Sequence, residues 1–254
     1  MSQPKYSLAE DTITKEDLRA WADWLTSDPP PRLTMGTLVK QYEEKWSHWL
    51  ERKYSVSCNS GSSADLLMYY ALLRSGRLEN KKVIVPSAAW VTTVAPAIQL
   101  GFEPIMCDAD YNTWALNRRH LRCLLEEHRP GTVVLVQVLG VPHDMGDLME
   151  MKRKYGFFLI EDACAAMGSS YHGQKVGTFG DMASMSTYYG HQFSTVEGGI
   201  VSTDDQEFRN LLLMLRSHGW VAHLDAETRA ELLQKYEIED TGTNFVFCEP
   251  GFNF

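Results

Sequence analysis

Short apolar runs alternate along this chain with longer segments of mixed polarity. "YSVSC", "KKVIVP", "EPIMCDAD", "TVVLVQVLG" and "FFLIEDA" are brief runs, several rich in β-branched residues. They show little polar–apolar alternation, the pattern of strands buried on both faces. Between them, "SADLLMYYALLRSG", "AWVTTVAPAIQLG", "NRRHLRCLLEEHRPG" and "DLMEMKRKYG" read as helices, each stopped by a glycine. Upstream, Leu38, Tyr42, Trp46 and Leu50 recur every four residues in "TLVKQYEEKWSHWLERKY", an amphipathic helix. The proline cluster "SDPPPR" separates it from an earlier helix over Lys15–Leu25. "STYYGHQFSTVEGGIVSTDD", Ser186 to Asp205, reads as a strand, a short loop, an "EGG" turn and a second strand. Strands and helices in this alternation predict an α/β fold, a mostly parallel sheet with helices on both faces.

Composition narrows the function. The chain has 254 residues, 44% hydrophobic and 22% charged, enough for one large domain or two small ones. Its net charge of -9 and the lack of a basic stripe argue against nucleic acid as a partner. The cysteines (Cys58, Cys107, Cys123, Cys164, Cys248) are scattered without a CxxC pair, so neither a disulfide framework nor a metal site is expected. The first residues, "MSQPKYSLAEDTITKED", have no apolar core, and no run reaches the roughly 18 apolar residues of a membrane span. A soluble cytoplasmic protein is the expectation.

In parallel sheets, ligands bind beyond the carboxyl ends of the strands. There, "NSGSSADLL" sets Gly61, Ser62 and Ser63 at a strand-to-helix turn. Such a turn holds a phosphate at the positive end of the helix dipole, or is an ordinary helix cap. Glu161 and Asp162 end an apolar strand, where a carboxylate contacts a cation or a protonated ring nitrogen, or is solvated in a turn. Trp90, past "VPSAA", stacks on a planar ligand or fills the core. His191 taken alone reads as a structural or surface histidine.

The order of these motifs is more specific than any of them. From about Met35 onward, "NSGSSADLL", "VIVPSAAWVTTVAPAIQLG", "LIEDACAAMGSSYHGQKVGTFGD", "STYYGHQFSTVEGGIVSTDD" and "EPGFNF" resemble the DegT/DnrJ/EryC family of nucleotide-sugar aminotransferases and dehydratases. The resemblance implies the large domain of a fold-type I pyridoxal phosphate (PLP) enzyme over residues 35–254, preceded by a helical arm over 1–34. It implies phosphate contacts from Ser62, Ser63 and Ser186, stacking by Trp90, and a pairing of Asp162 with the ring nitrogen. Asn253 of "GFNF" would reach the phosphate of a neighbouring subunit, in a homodimer with shared active sites. No metal is implied.

At position 191 the family's aminotransferases carry the lysine that binds the cofactor covalently; this chain carries His191. Past Asp162 the only lysines are Lys175, in a hairpin that faces solvent, and Lys235, in a polar helix. Imidazole forms no stable imine, so the cofactor, as PLP or pyridoxamine phosphate, would be held non-covalently. The family members with this replacement are sugar 3-dehydratases. His191 would act as the base of an elimination at carbon 3 of a nucleotide-linked 4-keto-6-deoxysugar, with L-glutamate restoring the amine form of the cofactor. The lack of a cysteine cluster argues against an iron–sulfur-assisted variant. Two features depart from the family pattern. Ala165 stands where a polar side chain usually meets the ring hydroxyl, and the chain ends at Phe254, where the family continues into a small C-terminal domain. The missing domain leaves a second expectation, a non-catalytic relic or partner subunit of a longer homologue. A sugar aminotransferase using another lysine is a third.

Overall fold

The structure, a computed structural model, describes residues 12–235 and 237–241. In chain order its elements are α1 (Lys15–Leu25), α2 (Thr37–Leu50), β1 (Tyr54–Cys58), α3 (Gly61–Ser75), β2 (Lys82–Pro86), α4 (Val91–Gln99) and β3 (Glu103–Cys107). There follow α5 (Arg118–His128), β4 (Thr132–Val136), α6 (Met145–Tyr155), β5 (Phe158–Asp162) and a small hairpin, β6 (Ser170–Tyr171) and β7 (Gln174–Lys175). The chain continues through β8 (Met182–Ser186), β9 (Gly199–Thr203), α7 (Gln206–Leu215) and α8 (Ala226–Lys235).

Seven strands form one sheet in the order β1-β9-β8-β5-β4-β2-β3. The pairs from β8 through β3 are parallel, and β9 runs antiparallel to both β8 and β1. The carboxyl ends of β1, β8, β5, β4, β2 and β3 therefore share one edge, and β9 begins there.

Alternate residues of the apolar strands serve opposite faces. Val83 and Val85 join a core with residues of α3, α4 and α7, whereas Ile84 between them packs with residues of α5 and α6. A third cluster seats Trp46 and Leu50 of α2 against Met185 and Ile200. Each such side chain contributes about 1.5–3 kcal/mol by leaving water, which is why these strands read as unbroken apolar runs.

Several boundaries differ from the sequence expectation, each for a local reason. Only the second half of α2 is buried, at Trp46 and Leu50; Leu38 is exposed, because the helix reaches the sheet only at its end. α5 stops at Arg129, which itself takes a left-handed φ of 47°, and Gly131 is not its cap. Gly131 instead passes Asn80, whose carbonyl oxygen would lie 2.5 Å from an added Cβ. β4 ends at Val136, and "VLG" forms a single 3-10 turn. The strand expected in "STYY" lies earlier: β8 ends at Ser186, in register with Gly199, the first residue of β9.

α1 is closed at its start by a reciprocal cap between Thr14 and Asp17, and none of its residues is buried. No described helix is long and apolar enough to cross a membrane.

Candidate active site

β1 delivers the chain to the sheet edge, where Ser60 caps α3 by accepting the Ser63 N–H at 3.1 Å. The cap belongs to Ser60, so the Ser63 amide is already used, and the Ser63 hydroxyl accepts a bond from that of Ser60 at 3.1 Å. The amides of Gly61 and Ser62 have no partner among the described residues and lie at the positive end of the helix. The Ser62 side chain is exposed. Ser186 comes from the end of β8 to the same place. An added Cβ on Gly61 would lie 2.6 Å from Ser186 Cβ and 2.9 Å from Cys164 Sγ, so only glycine allows this approach. The "EGG" turn is required for the same reason, since a Cβ on Gly198 would strike the Thr187 hydroxyl and one on Gly199 would strike the Ser60 carbonyl.

At the end of β5 the paired carboxylates part company. Glu161 is fully buried on the far face, where its oxygens accept the amides of Gly177 (2.9 Å), Phe179 (2.9 Å) and Gly180 (2.6 Å). It fastens the loop between β7 and β8 and faces no ligand. Asp162 points to the α3–α4 side, 6% exposed, accepting from Thr93 Oγ1 at 2.7 Å and from the Cys164 amide at 3.2 Å. Thr93 lies in the first turn of α4, and its amide donates to the Trp90 carbonyl at 3.0 Å. Trp90 is therefore fixed one turn from the Asp162 contact, and its side chain is 74% exposed, which rules out the core reading.

His191 lies in the loop between β8 and β9, where its amide donates to the Tyr188 carbonyl. Gln192 Nε2 donates to the Ala165 carbonyl at 3.1 Å, tying the loop to the segment after β5. Partial burial lowers the His191 pKa below that of a free imidazole, against a smaller opposing effect of the Asp162 charge. Burial thus favours the neutral imidazole, and the charge of Asp162 acts against it. Lys175, on its hairpin, pairs with Glu51 and lies over the Trp49 ring. Among the described residues no group of His, Cys, Asp and Glu side chains could hold a metal ion. Asn253 lies outside the described residues.

Sequence reasoning missed Thr93, Ser60 and Asp65. Thr93 had no signal beyond a hydroxyl inside an apolar helix. Ser60 fits the cap rule as well as Ser62 or Ser63 does, and only the helix start at Gly61 chooses between them.

Strands in this order, with ligand-facing groups collected on their common carboxyl edge, define the fold of the pyridoxal phosphate-dependent aminotransferases. The chain belongs to the DegT/DnrJ/EryC1/StrS aminotransferase family, whose pattern matches residues 11–249. It is similar to GDP-4-keto-6-deoxy-D-mannose 3-dehydratase of Yersinia pseudotuberculosis, with 33% identity over 251 residues, covering 98% of this chain and 62% of that protein. A crystal structure of a histidine-to-asparagine variant of GDP-4-keto-6-deoxymannose-3-dehydratase with bound GDP-perosamine superposes with a TM-score of 0.86. Its identity is 30%, over 98% of this chain and 64% of that one. A second structure of such a dehydratase, with a trapped PLP-glutamate geminal diamine, gives a TM-score of 0.81 at 32% identity, over 87% and 57%. The chain thus spans less than two thirds of the length of these relatives.

Proposed function

We propose that this chain binds pyridoxal phosphate non-covalently and serves C3 dehydration of a nucleotide-linked 4-keto-6-deoxyhexose. The product is a 3,6-dideoxy-4-ketosugar, and L-glutamate restores the amine form of the cofactor. The likeness to GDP-sugar 3-dehydratases supports the reaction, and the observation that carries it is a histidine, His191, in the loop that Gln192 ties to the segment just after Asp162.

The residues fit the cofactor. The free amides of Gly61 and Ser62, with the Ser62, Ser63 and Ser186 hydroxyls around them, suit a phosphate. The space an added Cβ on Gly61 would fill keeps Ser186 against that helix end. Asp162, buried with a hydroxyl and an amide as donors and no ion-pair partner among the described residues, suits a protonated ring nitrogen. The exposed Trp90 suits a ring face.

PLP bound there would supply an electron sink for carbanion charge. Asp162 would hold the ring nitrogen's proton, with Thr93 fixing the carboxylate's orientation. His191 would accept a proton at its unprotonated ring nitrogen and return it to the oxygen leaving sugar carbon 3. A lysine amine would bind the cofactor covalently, so the imidazole favours elimination over transamination. Ala165 offers only its backbone carbonyl, which Gln192 occupies; the missing side-chain hydrogen bond to the ring hydroxyl would weaken cofactor affinity, by about 1 kcal/mol, or alter the ring's electronics.

In this reading residues 1–34 are an arm and 35–254 the cofactor-binding domain of a homodimer with shared sites, Asn253 reaching the partner's phosphate. α1, an amphipathic helix with no buried residue and with Leu18, Trp21 and Leu25 exposed, supports the arm.

Mass spectrometry of the sugar nucleotide tests the reaction, after incubation with PLP, L-glutamate and GDP-4-keto-6-deoxymannose. Loss of the carbon-3 oxygen without gain of nitrogen is expected. Gain of nitrogen would make the chain an aminotransferase, and unchanged substrate would favour a non-catalytic partner subunit.

A further inference from the structure

Beneath the cofactor-facing edge lies a second carboxyl group that the proposed chemistry leaves unassigned. Asp65 stands four residues after Gly61 on the same side of α3. Just as Gly61 meets Ser186 at the end of β8, Asp65 meets Ser184 two residues back along that strand, and Ser184 Oγ lies 2.6 Å from Asp65 Oδ1. Ser184 is in register with Asp162 on the neighbouring strand, so the two side chains share a face of the sheet. Asp65 is 2% exposed and has no ion-pair partner among the described residues. The titratable groups around it are Asp162 from β5, Cys58 from β1, Cys164 from the turn after β5 and Tyr69 from its own helix. None of these is a cation. Cys164 links the two acids, since its amide donates to Asp162 and its sulfur lies 3.8 Å from Ser184 Oγ.

A carboxylate left in such surroundings would have one hydroxyl partner and a second anion nearby, an arrangement proteins resolve by keeping one acid protonated. We propose that Asp65 is a neutral acid bonded to Ser184 on the buried side of the site, which leaves Asp162 as the one negative charge to face the ring nitrogen. Burial, reinforced by the Asp162 charge, holds the Asp65 carboxyl well above the usual carboxylate range, in agreement with the geometry. The inference rests on the cofactor reading for its purpose but not for its test.

Infrared difference spectroscopy of the cofactor-free protein at neutral pH, wild type against Asp65→Asn, reads the protonation directly. The expected result is a carboxylic-acid C=O band in the wild type that Asp65→Asn abolishes and that Ser184→Ala shifts to higher frequency. A wild-type spectrum without such a band, or a band that survives Asp65→Asn, overturns the proposal. The same proteins are then titrated with PLP. Asn replaces a neutral acid by a neutral amide of the same shape, so affinity stays within about threefold, well under the tenfold that separates one pKa unit. A tenfold or larger change would mean that Asp65 carries charge, and would also overturn the proposal. If neither wild type nor variant binds PLP, the cofactor reading fails while the infrared band still decides the state of Asp65.

Discussion

The hydroxyl of Thr93 donates to Asp162 Oδ2 at 2.7 Å, joining the first turn of α4 to the end of β5 across the face of the sheet. The same turn carries Trp90, so this one bond ties the exposed indole to the buried carboxylate. Thr93 is 1% exposed and its own carbonyl accepts from the Tyr69 hydroxyl at 3.0 Å, leaving it little freedom to turn.

Replacing Thr93 by Val keeps the shape and removes that bond. A hydrogen bond to a charged group is worth about 1.5–3 kcal/mol, and that loss should appear in chemical denaturation. PLP affinity should fall as well, because the carboxylate loses its orientation. Equal affinity in the variant would mean that Thr93 serves packing alone.

His191→Gln retains size and hydrogen-bonding capacity and removes the base. A general base contributes typically 10²–10⁴-fold, so dehydration should slow by about that much while PLP binding changes by less than about threefold, under half a pKa unit. Single-turnover kinetics beside a binding titration separate the two effects.

The pH profile follows from the direction of the His191 shift. Its folded pKa lies below the free value of about 6.5, so the basic form persists through neutral pH and the rate falls only as pH drops below that value. A rate already falling between pH 8 and 7 would contradict the assignment. Stability has the same sign, because the unfolded chain binds the proton more readily: the contribution is full above the unfolded pKa and declines as pH falls through it. Burial likewise lowers the pKa of His143 and His223, so the expected loss of stability between pH 7 and 5 is shared among all three.

Gly61→Ala sets two effects against each other. Alanine is the better helix former by about 1 kcal/mol, but its Cβ would sit 2.6 Å from Ser186 Cβ. Overpacking of that kind costs about 1–3 kcal/mol, so net destabilisation is expected, with a melting temperature lower by several degrees and weakened phosphate binding. A melting temperature above that of the wild type would mean that β8 yields without cost.

Much of this protein was legible in its sequence because the information is local. α1 and β2 begin and end where a cap, a proline or an apolar run says they should, since those signals act within a turn or two of the backbone. The strand ends at Asp162 and near His191 and the helix start at Trp90 were legible as positions that a parallel sheet gathers on one edge, whereas Ser186 and the roles expected of all four came from the family resemblance. What residue type and strand position could not separate was which of two adjacent acids faces that edge; only the family resemblance singled out Asp162. Glu161 and Asp162 differ by one residue, and the period-two geometry of β5 sends one to the amides of Gly177, Phe179 and Gly180 and the other to Thr93. Nor could it show that Gly61 must lack a side chain, or that Asp65 lies buried beside Ser184, because Ser186 and Ser184 lie more than a hundred residues further along the chain. Local chemistry determined which groups are present and roughly where each element begins. Long-range packing decided which of them meet, because distances between elements are set by the sheet and by nothing in the chain's immediate neighbourhood.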